Sequence, residues 1–245
     1  MRRGVRSSRL AVVGAILFAL GACVTRQIAP PAPAQAPAAR PLPSPPVGSP
    51  FDVIPAESRL VVRVYRAGAL AALGHNHIVA CRCLTGTIYL PRDPARTSFD
   101  LRLAVTQLTV DDPVLRAAEH SADFPPDVAP SARQATRHNM LSSVLLNAAS
   151  YPDIALRSAG LRPSPDGRRD DIVVQVLVQL GGEWHSVAVP MRREIQGDEI
   201  TVSGEFPLRQ TELGLTPFTA LGGGLRVKDG MKVWLRLVAR RRSGR

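Results

Sequence analysis

MKVWLRLV, residues 231–238, places Met231, Val233, Leu235 and Leu237 on one side of an extended chain and Lys232, Trp234, Arg236 and Val238 on the other. Side chains alternate between faces along a strand, whereas a helix repeats every 3.6 residues, so this period of two predicts a strand with one apolar face. Phe99, Leu101, Leu103 and Val105 alternate in the same way with Asp100, Arg102, Ala104 and Thr106. Ile200, Val202, Gly204, Phe206 and Leu208 do so with Thr201, Ser203, Glu205 and Pro207. Similar runs occupy 59–66, 78–90, 153–161, 171–180 and 184–195. Turn signals separate them at Pro163-Ser164-Pro165-Asp166-Gly167, Gly181-Gly182 and Gln196-Gly197-Asp198. About eight strands joined in this way predict an all-β antiparallel sheet of hairpins. A sheet of that size closes into a barrel or splits into a sandwich.

One long interruption breaks the pattern. Asp112-Pro113 offers an N-cap followed by proline at the first helical position. Ser131-x-x-Gln134 reads as a capping box ahead of Met140, Leu141, Val144 and Leu145. The spacing predicts one short and one longer helix, covering an open end or a flank of the sheet. No internal repeat is visible beyond the strand alternation.

The N-terminal segment has a different character. Arg2, Arg3, Arg6 and Arg9 precede an uncharged apolar run from Leu10 to Leu20. That run is too short for a membrane span and is flanked as a secretory signal peptide is. Leu20-Gly21-Ala22-Cys23 resembles the lipobox of bacterial lipoproteins, which implies that Cys23 is acylated and becomes the first residue of the mature chain. Val24 stands where an inner-membrane retention signal would have Asp, so the resemblance favours the periplasmic face of the outer membrane. Residues 26–50 are dominated by Pro and Ala. They carry too little apolar bulk to offset chain entropy, and as extended polyproline they would reach up to ~75 Å. The expected organisation is a signal peptide over 1–22, a lipidated tether over 23–50, one β domain over 51–240 and a basic tail over 241–245.

The chain carries 31 basic and 20 acidic residues, a net charge of +11. Removing the four signal arginines leaves 27 basic residues against 20 acidic ones. Only 4% of residues are aromatic, the cations are nearly all Arg, and an export signal removes the chain from cellular nucleic acid. An anionic membrane surface suits this charge better, with Arg240-Arg241-Arg242 expected in a solvated tail.

MLSSVLLNAASYPDIALRS, residues 140–158, resembles a segment of the YceI-like family, in which a short helix leads through Tyr-Pro into a strand. FDVIPAESRLVVRVYRAG at 51–68 resembles the family's opening strands, and IVVQVLVQLGGEWHSVAVPM at 172–191 its central hairpin. RQTELGLTPFTALGGGLRVKDGMKVWLRLVA at 209–239 resembles its glycine-containing loop and final strand. These pieces follow the family order over most of 51–240. The resemblance implies an eight-stranded, lipocalin-like antiparallel barrel whose apolar tunnel holds a long-chain polyisoprenoid or related lipid. It implies binding, storage or transfer, with no catalysis and no cofactor. The alternating apolar sets then supply candidate tunnel residues: Leu101, Leu103, Val105, Ile154, Leu156, Val174, Val176, Phe206, Leu208, Val233, Leu235 and Leu237. A packed core would present the same pattern.

LGHNHIVACRC, residues 73–83, concentrates two of five histidines and two of three cysteines. On one continuous strand His75 and His77 share a face and so do Cys81 and Cys83, but the pairs stand at least ~13 Å apart, too far for one metal. His75 and His77 remain candidates for a metal, for a ligand's polar end at the tunnel mouth, or for a backbone carbonyl at the turn. Cys81 and Cys83 are expected as buried thiols, with a strained bridge as the alternative. An envelope metal or redox protein using both pairs is the rival function. No Gly-x-Ser-x-Gly elbow or recognisable carboxylate pair points to an enzyme.

Overall fold

The computed structural model describes residues 46–165 and 170–243. The strands are β1 (Ser49–Val53), β2 (Arg59–Ala67), β3 (His77–Cys81), β4 (Leu84–Leu90), β5 (Ser98–Ala104) and β6 (Thr109–Val110), followed by helices α1 (Pro113–Ala118) and α2 (Pro130–Leu141). Then come β7 (Asp153–Pro163), β8 (Asp171–Leu180), β9 (Glu183–Gln196), β10 (Glu199–Arg209), β11 (Thr219–Ala220) and β12 (Leu225–Arg241). All pairings are antiparallel.

The short strands are pieces of longer ones. One edge of β12 pairs with β10, and its other edge pairs first with β2 and then with β1, which closes the sheet. β1 and β2 lie end to end along β12, β3 and β4 lie end to end beside them, and β5 and β6 do the same one position further on. With β7, β8, β9, β10 and β12 these make a closed eight-stranded antiparallel barrel in which chain neighbours are sheet neighbours. Closure pairs the outermost strands and decides against the sandwich.

Interruptions in the first three strands fall side by side. Five residues separate Val53 from Arg59, opposite only two between Arg236 and Ala239. The surplus forms a 3-10 turn at Pro55–Glu57, and Ser58 closes it: its hydroxyl donates to the Ile54 carbonyl at 2.9 Å and accepts the Val238 N–H at 3.0 Å. The ladder breaks there without orphaning that donor. In the next strand the run expected over 78–90 bends at Arg82 and becomes β3 and β4. In the third, the strand stops at Ala104. Val105 enters a 3-10 turn whose first N–H donates to the Pro152 carbonyl at 2.8 Å.

Asp112 caps α1 as its sequence predicts, accepting from the Val114 and Leu115 N–H groups. The capping box at Ser131 does not operate. Pro130 takes the first helical position, which needs no donor, and α2 begins one residue before Ser131 without a side-chain cap. The helix stops at Leu141, so Val144 and Leu145 lie in the turns that follow.

The two helices take different places. α1 and the loop after it cover the outer face of β2, β3 and β12, where Val61, Ile78, Ala80 and Phe124 form a separate buried cluster with Tyr65, Leu115 and Trp234 packed against it. Trp234 is therefore half-buried although it lies on the outward face. α2 lies at one end of the barrel, where β6 runs past the start of β7. The tail is shorter than its arginines suggest. β12 continues to Arg241, Arg240 pairs with Glu57 and Glu199, Arg241 with Asp198, and Arg242 with Asp52. No described helix is long and apolar enough to cross a membrane.

Candidate functional site

Inward side chains of the eight strands leave a cavity of about 750 Å³ along the barrel. Its body is aliphatic because each strand contributes its apolar alternate. Leu60 and Val62 come from β2, Leu84 and Ile88 from β4, Val187, Val189 and Met191 from β9, and Ile200 and Val202 from β10. Polar residues gather at the ends. Arg66, His75, His77, Asn139, Gln210 and Arg226 line the end beneath α2, while Thr97 and Arg193 line the other. No described Asp or Glu lines the cavity. Such a volume is in the range of small-molecule sites, and its lining favours an amphiphile whose chain is apolar.

Of the expected tunnel residues, Leu101, Leu103, Ile154, Leu156, Val174, Val176, Phe206, Leu208, Val233, Leu235 and Leu237 all line this cavity, as do His75 and His77. Val105 does not. It is fully buried in the core because the chain leaves the strand before reaching it, which ends the alternation that placed it beside Leu103. Gly204 holds an inward position with no side chain. A Cβ there would lie 2.8 Å from the Pro190 carbonyl oxygen and 2.9 Å from Met191 Sδ, so the glycine makes room for the neighbouring β9 backbone and for that methionine.

His77 does not meet a backbone carbonyl. Its Nδ1 lies 2.7 Å from Asp111 Oδ2. Asp111 is wholly buried, and its Oδ1 accepts from the Ile78 N–H at 2.9 Å and from Arg116 Nη1 at 2.6 Å. Burial pushes this carboxyl upward, but the hydrogen bonds from His77, the Ile78 N–H and Arg116, with the attraction of His77, outweigh it and hold the group below the usual carboxylate range. An ionised carboxylate only accepts, so Nδ1 carries the proton and Nε2 is the ring atom left without a partner among the described residues. Arg116 is itself buried. It donates to the Asn76 and Pro125 carbonyls and lies over the Phe124 ring, while Nη2 has no hydrogen-bond partner among the described residues. In the sequence Asp112-Pro113 signals a helix start, and nothing local marks the neighbouring Asp111. Asp111 adopts a left-handed φ of 53°, and its partnership with His77 spans 34 positions, a pairing that no local pattern carries.

The cysteines depart further from expectation. Cys81 and Cys83 form a disulfide, with Cα atoms 5.3 Å apart. The expected pair of reduced thiols assumed a straight strand. The bend at Arg82 brings the two residues closer than straight-strand spacing, and the Cys83 N–H donates to Cys81 Sγ at 3.2 Å. Neither sulfur is then a thiolate ligand, and no described group of three or more His, Cys, Asp or Glu side chains is arranged to hold a metal. Alkylation of the unfolded, unreduced protein, read by intact mass, is expected to leave Cys81 and Cys83 unlabelled. Two added adducts there would show that the bridge is absent.

No family model matches the chain, and no curated protein matches its sequence. Among solved structures, BcnA from Burkholderia cenocepacia superposes with a TM-score of 0.53 at 15% identity, covering 76% of this chain and 98% of BcnA. The chain shares the BcnA fold. A polyisoprenoid binding domain from Saccharophagus degradans, implicated in plant cell wall breakdown, matches with a TM-score of 0.48 at 11% identity, over 78% of this chain and 98% of that domain. The YceI protein of Campylobacter jejuni matches at 0.43 and 8% identity, over 65% of this chain and 82% of that one. At 15% identity the likeness to BcnA is one of fold, and the closed barrel of this chain is the one that the motifs of 51–239 imply.

Proposed function

We propose that this chain is a YceI-like binding protein that holds a long apolar ligand, a polyisoprenoid or related lipid, in its barrel cavity for storage or transfer. The observation that carries this reading is the continuous aliphatic lining of a cavity of about 750 Å³, supplied by strands all around the barrel. Each 100 Å² of apolar ligand surface removed from water contributes about 2.5 kcal/mol. A chain threaded along the barrel needs no hydrogen bonds through most of its length. The polar residues at the ends then receive whatever head group the lipid carries, with no general base or nucleophile required. The Saccharophagus degradans domain, described as polyisoprenoid binding, supports the same class of ligand.

The N-terminal reading completes the proposal. Cys23, outside the described residues, is the site of acylation, and residues 26–48 tether the barrel on the periplasmic face of the outer membrane; the tether ends two residues earlier than the sequence predicts, because Ser49 and Pro50 already pair with β4 as the start of β1. Two or more acyl chains would make that attachment stable. Native mass spectrometry after gentle detergent extraction is expected to find a prenyl or acyl lipid on the barrel in about equimolar amount. Repeated recovery of the folded protein with nothing bound, from cells rich in such lipids, would overturn the binding function.

A further inference from the structure

We infer that the barrel end carrying His75 and His77 docks directly on an anionic bilayer surface, with Leu70, Leu73 and Leu221 as the inserting side chains. Two loops build this rim. Residues 68–76 join β2 to β3, and residues 210–224 join β10 to β12. They are fastened together: the Leu70 N–H donates to the Gly224 carbonyl at 2.8 Å, and a Cβ on Gly68, whose φ is +96°, would meet that same oxygen at 2.3 Å. Only glycine permits this approach, so the two loops are fixed side by side.

Three leucines of this rim face water, Leu73 with 67% of its surface exposed, Leu221 with 61% and Leu70 with 39%. Leu221 also adopts a left-handed φ of 51°, which is costly for a leucine and available without cost to the glycines that follow it. Exposed apolar side chains clustered at the mouth of a cavity mark a surface that meets an apolar partner. Leu73 lines the cavity as well, so the apolar rim is continuous with the interior.

Charge selects the partner. Arg66, Arg226 and Lys228 flank the rim, and the acids nearest to it, Glu212 and Asp229, are engaged by Arg209 at the end of β10. Leucine tips within a ring of cations suit the interface of an anionic bilayer, where the leucines enter the acyl boundary and the cations meet lipid phosphates. A ligand could then pass between bilayer and cavity without its chain crossing water. This surface gives the proposed cargo function a route, yet it is measured separately: cargo is read by mass spectrometry and docking by fluorescence.

An acyl anchor would bring the protein to any vesicle, so binding alone does not say which face meets the lipid. The test is depth quenching in the full chain on vesicles of brominated phosphatidylcholine and phosphatidylglycerol. It compares Leu221→Trp and Leu73→Trp with Ile195→Trp, an exposed position beside the turn at 197–198 on the opposite end of the barrel. Quenching of either rim tryptophan at least twofold beyond that of Ile195→Trp is expected, with loss of the difference in Arg66→Glu/Arg226→Glu. Equal quenching at both ends, or none at the rim, overturns the inference. So does a dimer in sedimentation that Leu73→Asp/Leu221→Asp dissociates, which would assign the surface to a second copy of the chain.

Discussion

Replacing Asp111 by Ala is expected to destabilise the barrel by about 3–5 kcal/mol, because it strands the Arg116 guanidinium in the interior without its counter-charge. Both side chains are fully excluded from water. Arg116 already leaves Nη2 unpartnered among the described residues, so the structure has no second acceptor ready for the lost carboxylate. Urea unfolding followed by circular dichroism measures the loss. The double variant Asp111→Ala/Arg116→Met is expected to recover much of it, since the cost arises mainly from the uncompensated charge. A double variant as unstable as Asp111→Ala alone would show that the carboxylate matters chiefly through His77 and the Ile78 N–H.

The pH dependence has a definite sign. Asp111 titrates below its ordinary value in the folded chain, so the unfolded chain binds the proton more readily. Its contribution is therefore complete above the unfolded value near ~3.9 and is lost as pH falls through the lower, folded value. Asp111→Ala should flatten the stability profile in that acid window.

The second large effect concerns ligand. Val176 and Val202 project into the cavity from β8 and β10, and both retain surface open to it. Val176→Phe/Val202→Phe is expected to reduce co-purifying lipid at least tenfold, a change of about 1.4 kcal/mol or more in binding. The urea midpoint should be unchanged or higher, because the added rings bury themselves in space that the protein's own side chains leave unfilled. Retention of lipid at the parental level by the folded variant would place the ligand outside the barrel. A packed core would respond in the opposite sense, losing stability through overpacking, so one variant separates cavity from core.

Much of this molecule follows from alternation alone. Met231, Val233, Leu235 and Leu237 had to face one way once the segment was extended, and the same rule placed Leu101, Leu156, Val174 and Phe206 on the inner wall. Local turn chemistry also suffices for Gly181-Gly182, both with positive φ, and for the Asp112 cap of α1. The ordered family motifs supplied barrel closure, which alternation left open between barrel and sandwich.

Other features arise only where distant segments meet. Val105 has the alternating address of a wall residue, but the three adjacent kinks end its strand one residue earlier. Trp234 has the address of a wet residue, but α1 and Phe124 cover it. The bridge between Cys81 and Cys83 needs the bend at Arg82, opposite the inserted turn at Pro55–Glu57. The seat of His77 on Asp111 needs the second strand to meet the start of the helical insertion. Which side of each strand is apolar is a local property, because it depends only on the two-residue period of the backbone. Tertiary structure decided which apolar side faces a void, which is packed solid and which polar groups are buried together, because those outcomes depend on the register and closure of strands far apart in the chain.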